Sequence, residues 1–403
     1  MPLIPNQLRG SPDVLRPNHR WLRQRFGALS VWAAFALVAV GLCAAAAINR
    51  GLTSLKWSKT RNCADACALA GCRELLTDHL LLPERDSLDF DVQRCRRRAV
   101  SLSHQYATDR GYDDGTVITP QHEIDVLQRI WSAADGRYVV LSDSIHPNAV
   151  RVRLWDWCFR HGARRRTRTG LSRLGRARVS CEATAWLHDR ISGFRASPDV
   201  TIPIAPLAIP NDRQRRITGT WSSTDEGGIR DDYAWDSVSR EVRRNPDGLA
   251  ELALTLDREG SRAAPGHLVP VRICHCSHKH PFADRVRHGL RHADTTAAGL
   301  DVLCFPRADQ SSDLDITDFD ELEDVLYTLI GAKRIFPLVD LSTTPNVTLS
   351  AVVAARVLDV ERISRDQMQV LVQPTVMSTS SAVICRDQSV ASNRYVRKVA
   401  LLR

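Results

Sequence analysis

Lysine is almost missing from this chain: five of its 55 basic residues are lysine and 50 are arginine. A formal charge of +9 and a pI near 9.2 ordinarily raise nucleic acid as a partner. So lopsided a ratio reflects coding bias in part, and nucleic acid is not the expected partner. Catalytic signatures are missing too. There is no nucleophile elbow, no glycine loop of the kind that cradles phosphate, and no pair of carboxylates in a recognisable setting. Thirteen histidines and 46 acids guarantee chance neighbours, so composition supplies no triad. The chain reads as non-enzymatic, with no cofactor and no small-molecule substrate.

Charge is absent from one stretch altogether. Gly27 to Ile48, GALSVWAAFALVAVGLCAAAAI, holds 22 consecutive residues without a charged side chain. At about 1.5 Å per residue this is roughly 33 Å of helix, enough to cross a bilayer core. No proline accompanies Gly27 or Gly41, so an uninterrupted helix that pairs its own backbone amides is expected. Arg9, Arg16, Arg20, Arg23 and Arg25 precede it against Asp13, and Arg50, Lys56, Lys59 and Arg61 follow it against Asp65. That small bias sets the N-terminus inside. A cleaved signal peptide is the rival, because Ala44-Ala45-Ala46 has the small-x-small form. The 26 residues before Gly27 and the length of the run favour an anchor. Leu42 before Cys43 argues against a lipoprotein signal, and the lack of glutamate from Ala28 to Trp32 argues against prepilin-type processing. Ten of the 11 cysteines lie beyond the span, where an oxidising compartment would suit them.

Residues 61–72 read RNCADACALAGC. If the helix continues, Thr60, Cys63, Ala64, Cys67, Ala68 and Gly71 share one face at spacings of three and four, a stripe of small side chains that permits close backbone approach. Pro83 ends this helix, and Asp86 or Ser87 caps a second, with Leu88, Val92, Cys95, Ala99, Leu102 and Tyr106 at helical spacing. From Val117 the pattern changes to short β-like runs, GTVIT, EIDVLQRIW, RYVVLS and NAVRVRLWDW. The alternation from Val150 to Leu154 marks a sheet with one wet face. Asn211 to Arg230 reads as a linker. Helical or mixed material is expected from there to Asn245, then strands in GLAELALTLD, HLVPVRICHCSHKH and GLDVLCFP. An amphipathic helix follows, with Phe319, Leu322, Val325, Leu326, Leu329 and Ile330 on one face and the acids Asp318, Asp320, Glu321, Glu323 and Asp324 facing water.

The expected fold is α+β: a long N-terminal membrane-spanning helix, then largely antiparallel β domains with a few covering helices. The expected divisions are a basic cytoplasmic tail (1–26), the transmembrane helix (27–48), a helical extension (49–82), a first α+β domain (83–210), the linker (211–230) and a second α+β domain (231–403).

Two side-chain clusters stand out. Arg160, Arg164, Arg165, Arg166, Arg168, Arg173, Arg176 and Arg178 occur with no acid between Asp156 and Glu182. They form either a solvated loop between strands or a polyanion site. Cys274-His275-Cys276-Ser277-His278-Lys279-His280 is the one cluster with ligand chemistry. On a strand Cys274, Cys276, His278 and His280 share a face and are the candidate metal ligands. Zinc usually draws ligands from two separated pairs, and a disulfide from Cys274 or Cys276 to Cys304, or unpaired thiols, are the other readings.

The segment after the span carries a resemblance. Asn62, Ala64, Asp65, Ala66, Ala68, Leu69 and Ala70 match a phrase close to Asn-Ala-Ala-Asp-Ala-Ala-Ala-Leu-Ala. Preceded by a hydrophobic run, this resembles the N-terminal TadE/G-like segment of TadG-like proteins of the tight-adherence (Flp) pilus assembly system. Asn49 replaces the family's aspartate before Arg50-Gly51, and Cys63 and Cys67 replace alanines. The resemblance makes Cys63, Cys67 and Cys72 packing equivalents of alanine. Pro147 to Val152, residues 179–210 and the closing runs LSAVVAARVLDVERI, QMQVLVQPTVM and NRYVRKVALLR are similar to later phrases of the family in the same order.

It implies a single-pass protein of the bacterial inner (cytoplasmic) membrane, held by residues 27–48, with its N-terminus in the cytoplasm and the bulk of the chain outside. It further implies no enzymatic activity, a role in pilus assembly or surface attachment, and other pilus or envelope assembly proteins as partners. An anchored metal-binding module or metalloenzyme built on Cys274 to His280 is the alternative class.

Overall fold

A computed structural model of the chain describes residues 19–82, 88–108, 121–132, 137–142, 147–157, 178–211, 229–236, 238–258, 266–273, 281–305, 307–311, 319–340, 346–385 and 392–402. The chain divides into two compact units, residues 1–59 with 158–176, and residues 60–157 with 177–403.

The described part of the first unit is the start of helix α1, which runs unbroken from His19 to Glu74 over 56 residues, or roughly 84 Å at 1.5 Å per residue. It begins before Gly27 and passes Ile48 without a break because no proline interrupts it, and an interior glycine costs only about 1 kcal/mol relative to alanine. From Ser30 to Ile48 every residue is exposed. Trp32, Phe35, Leu37, Val38 and Leu42 all face outward with more than half their surface uncovered. A core helix of a water-soluble fold would bury such residues. α1 is long and apolar enough to cross a membrane.

The second unit holds the last turns of α1, a 3-10 turn (Asp78–Leu81), α2 (Leu88–Thr108), β1 (Gln121–Ser132), β2 (Arg137–Ser142), β3 (Ala149–Trp157), β4 (Arg178–His188), β5 (Ile191–Phe194) and β6 (Leu207–Asn211). Short strands follow, β7 (Ile229–Arg230), β8 (Ala234–Asp236) and β9 (Glu241–Arg243), before β10 (Glu251–Asp257) and β11 (Val269–Pro270). Two small helices, α3 (Phe282–His288) and α4 (His292–Ala297), lead to β12 (Leu303–Cys304), β13 (Arg307–Ser311) and α5 (Phe319–Thr328). The closing strands are β14 (Lys333–Asp340), β15 (Asn346–Ser364), β16 (Gln367–Pro374), β17 (Met377–Ser378), β18 (Ala382–Ile384) and β19 (Val396–Leu401). Largely antiparallel sheets, with parallel pairs only at β6–β14 and β17–β19 among the named strands described, and few helices make this the expected α+β fold.

One sheet has the order β17-β19-β4-β3-β1-β2, and the largest has the order β11-β6-β14-β15-β16-β10-β7 with β13 also on β15. The boundary expected at residues 211–230 does not divide two cores. β19, from the end of the chain, pairs with β4, and β14 pairs with β6. The main apolar core joins Phe194, Ile202 and Leu207 to Leu254, Phe336 and Val370. A polar, glycine-containing stretch marks a loop, but local composition does not say which strand the loop leads to.

Three smaller expectations are corrected. β8 and β9 form a hairpin where helical or mixed material is expected. The Asp236 carboxylate accepts the Val238 and Ser239 N–H groups, and Arg240 takes a left-handed φ of 58°, which is turn chemistry. Within the described part of HLVPVRICHCSHKH only Val269–Pro270 is a strand, because Pro270 has no N–H to extend a ladder. α5 buries Phe319, Leu322, Val325 and Leu326 as expected, but Ile330 lies past its end and is 38% exposed. Two of its acids are not merely solvated, since Arg362 on β15 donates to Asp320 at 2.7 Å and to Glu323 at 2.5 Å.

The first sheet has the two faces its alternation predicts. Val150, Val152 and Leu154 are buried, while on the other side Arg151 pairs with Asp125 at 2.7 Å and Arg153 bridges Glu123 and Glu182 across three strands.

Candidate functional site

The last four turns of α1 bury the stripe that the spacing marks. Thr60, Cys63, Ala64, Cys67, Ala68, Gly71 and Cys72 are all covered. Among the residues of the family phrase, Ala64 and Ala68 are fully buried, Asp65, Ala66, Leu69 and Ala70 are half-buried, and Asn62 is exposed. Small side chains are needed here because the neighbours are close. A Cβ added at Gly71 would stand 3.3 Å from Ala99 Cβ and Cys95 Sγ of α2 and 3.3 Å from Val150 Cγ1 of β3. Gly71→Val is therefore expected to destabilise the fold by about 1–3 kcal/mol through overpacking. A fall in the thermal unfolding midpoint, with Asn62→Val on the exposed face as the control, checks this.

The cysteines on this face are packing groups. The Cys63 and Cys67 sulfurs lie 3.9 Å apart, and Cys72, Cys95 and Cys181 are also buried. The sulfur contact with Cys63, with burial, holds the Cys67 thiol well above its ordinary range. Burial pushes Cys72 and Cys181 up as well, and Cys95 up to about 12. Protonated thiols are weak nucleophiles and poor metal ligands. Among the described residues no three His, Cys, Asp or Glu side chains are placed to hold a metal ion.

Beyond α1 the chain is fastened twice. Arg94 of α2 donates to the Glu74 carbonyl at 2.8 Å and pairs with the Glu74 carboxylate at 3.2 Å, so a cation sits at the negative end of the helix. Four residues later Asp78 reaches into the main sheet. Its Oδ1 accepts from Lys333 Nζ at 3.0 Å, Thr375 Oγ1 at 2.5 Å and the Val376 N–H at 2.9 Å, and its Oδ2 accepts from Arg356 at 2.9 Å. The Arg356 guanidinium also lies 4.8 Å from the centre of the Trp235 ring. Trp235 in turn covers Gly331, whose φ of 82° and close approach to the indole leave no room for a side chain. Burial alone would raise the Asp78 carboxyl, but the two cations and two hydrogen-bond donors outweigh it and hold it below the ordinary carboxylate range.

A polar cleft of about 340 Å³ opens on the main sheet between Asp232, Tyr233, Glu251, Asp359 and Glu361. Its buried acid, Glu251, is occupied, since its two oxygens accept the Asp232 and Tyr233 N–H groups at 3.0 and 2.8 Å. The cleft thus reads as an ordered loop over a sheet.

The candidate ligands Cys274, Cys276, His278 and His280 lie outside the described residues, as does the arginine run up to Arg176; Cys304 is exposed on β12, and Arg178 opens β4. Asp78, Lys333, Arg356 and Thr375 were not marked by the sequence. The chain matches no family model, no curated protein and no solved structure with which it was compared.

Proposed function

We propose that this chain is a non-enzymatic, single-pass membrane protein of the bacterial envelope that acts in pilus assembly of the tight-adherence type or in surface attachment. The observation that carries the reading is the division of labour along α1. The stretch from Ser30 to Ile48 is apolar and uncovered, as a lipid-facing helix is. Its last turns, where the TadG-like phrase lies, pack their small face into a folded domain. A membrane helix that also forms part of a domain's core suits an anchored structural or assembly component. On this reading the N-terminus lies in the cytoplasm and the folded domain on the far side of the inner membrane, which the excess of arginine before Gly27 supports. Other envelope assembly proteins are the expected partners.

The test is genetic. Deleting the gene should abolish or sharply reduce pilus assembly and surface attachment, and an intact copy should restore both. Unchanged pili and unchanged attachment would overturn the proposal.

A further inference from the structure

The first sheet ends on an edge that differs from the others. β2 spans six residues and, among the described residues, pairs only with β1. At other sheet ends, β7, β11, β12 and β17 are two residues each and β8, β9 and β18 are three, while β13, five residues and paired among the described residues with β15 alone, carries Arg307 and Asp309 within it. Short edges offer little to a passing strand, whereas a long uncharged one is a template. On β2, Val140 and Leu141 are 47% and 40% exposed, and as neighbours on a strand they face opposite sides of the sheet.

The pairing also fixes which backbone groups point outward. The Asn148 side chain accepts the Arg129 N–H at 2.7 Å and donates to the Arg129 carbonyl at 2.9 Å, so Arg129 faces β3. Both polar groups of a strand residue point the same way. Gln128 and Ile130 therefore face β2, where their partners are Leu141 and Val139. By alternation Tyr138, Val140 and Ser142 direct their N–H and C=O groups away from β1, toward the open edge.

We infer that β2 is a homotypic docking edge, on which the β2 strand of a second copy of this chain adds antiparallel across a two-fold axis. Parity restricts the register. A hydrogen-bonded pair needs outward-facing residues on both strands. Of the registers that this parity permits, the one that pairs all three outward residues sets Val140 opposite Val140 of the other copy and Tyr138 opposite Ser142 on each side, so three pairs exchange six backbone hydrogen bonds. Val139 falls opposite Leu141, which brings apolar side chains together. Charge agrees in sequence: the uncharged stretch follows Arg137 and the next charged residue after it is Asp143, so a copy running antiparallel carries the opposite order of charge. The two- and three-residue sheet-end strands are too short to supply a partner of this length, and β13 sets the charged Arg307 and Asp309 within its five residues. A two-fold contact of this kind is closed and stops at two copies.

The experiment uses the full chain in detergent or nanodiscs, with its mass measured by light scattering and its backbone by amide exchange. Wild type should behave as two copies, with the Tyr138, Val140 and Ser142 amides protected alongside those of Val139 and Leu141. Val140→Pro removes an outward donor without touching the β1 ladder, and Val140→Lys sets two like charges face to face at the axis. Each should halve the mass and expose the Tyr138 and Ser142 amides while Val139 and Leu141 stay protected. That retained protection shows the sheet is still folded. A single-copy wild type, or variants that keep the wild-type mass, would overturn the inference; the latter result would place any self-association elsewhere on the chain.

Discussion

Replacing Asp78 with alanine is expected to destabilise the folded chain by about 3 kcal/mol, the lower part of the range for breaking a buried ion pair. The lower part applies because Asp78 keeps 21% of its side-chain surface exposed, against 5% for Arg356. Lys333 and Arg356 would lose their shared counter-charge, and the Thr375 hydroxyl and Val376 N–H would lose their acceptor. An unpaired buried cation costs more than the pair contributes, so this single carboxylate matters beyond its contacts. Its pH dependence has a defined sign. The folded-state carboxyl is held below its ordinary value, so the unfolded chain takes up the proton first. The stabilisation is complete above the unfolded value of about 3.9 and is lost as pH falls through the lower folded value. Thermal or denaturant unfolding should show wild type and Asp78→Asn differing by a constant amount from about pH 7 to pH 5. The two should begin to converge below about pH 4 and meet once pH has fallen through the lower folded value.

The second large effect is expected in the membrane span. Leu37 is 73% exposed near the centre of Gly27 to Ile48. Arginine at the centre of a membrane helix costs roughly 2.5–3.5 kcal/mol, and leucine there contributes favourably by about 0.5. Leu37→Arg should therefore shift a large share of the chain out of the membrane fraction. Leu55→Arg is the contrast: Leu55 is 51% exposed on the same helix but lies beyond Ile48, outside the apolar run. It should fractionate as wild type does, and equal losses in both variants would mean that the position along α1 is irrelevant.

What the sequence could reveal follows from the range of each signal. The stripe from Thr60 to Gly71 is legible because a helix face repeats every three to four residues, and burial follows that spacing residue by residue. The wet face of β3 is legible for the same reason, with period two. Asp78 is not. Its partners Lys333, Arg356 and Thr375 lie 255, 278 and 297 residues away, and no local pattern connects an aspartate after one helix to cations on remote strands. The pairing of β19 with β4 is hidden likewise, which is why the stretch from Asn211 to Arg230 looks like a division between domains. Pro270 is legible in the sequence, and a residue without an N–H limits β11 to Val269–Pro270 within the described part of HLVPVRICHCSHKH. Open edges such as β2 emerge only when the sheet order is known, since every strand has the same local pattern whether it lies inside a sheet or at its rim.

An anchored role requires α1 to remain in the membrane uncleaved. Alkaline carbonate extraction of cell membranes, followed by determination of the N-terminus of the protein in each fraction, tests this directly. The protein should stay in the pellet with Gly27 to Ile48 still attached. A protein released into the supernatant, with its N-terminus near Ala47, would show that the apolar run is a removed signal, and the anchored reading would fall.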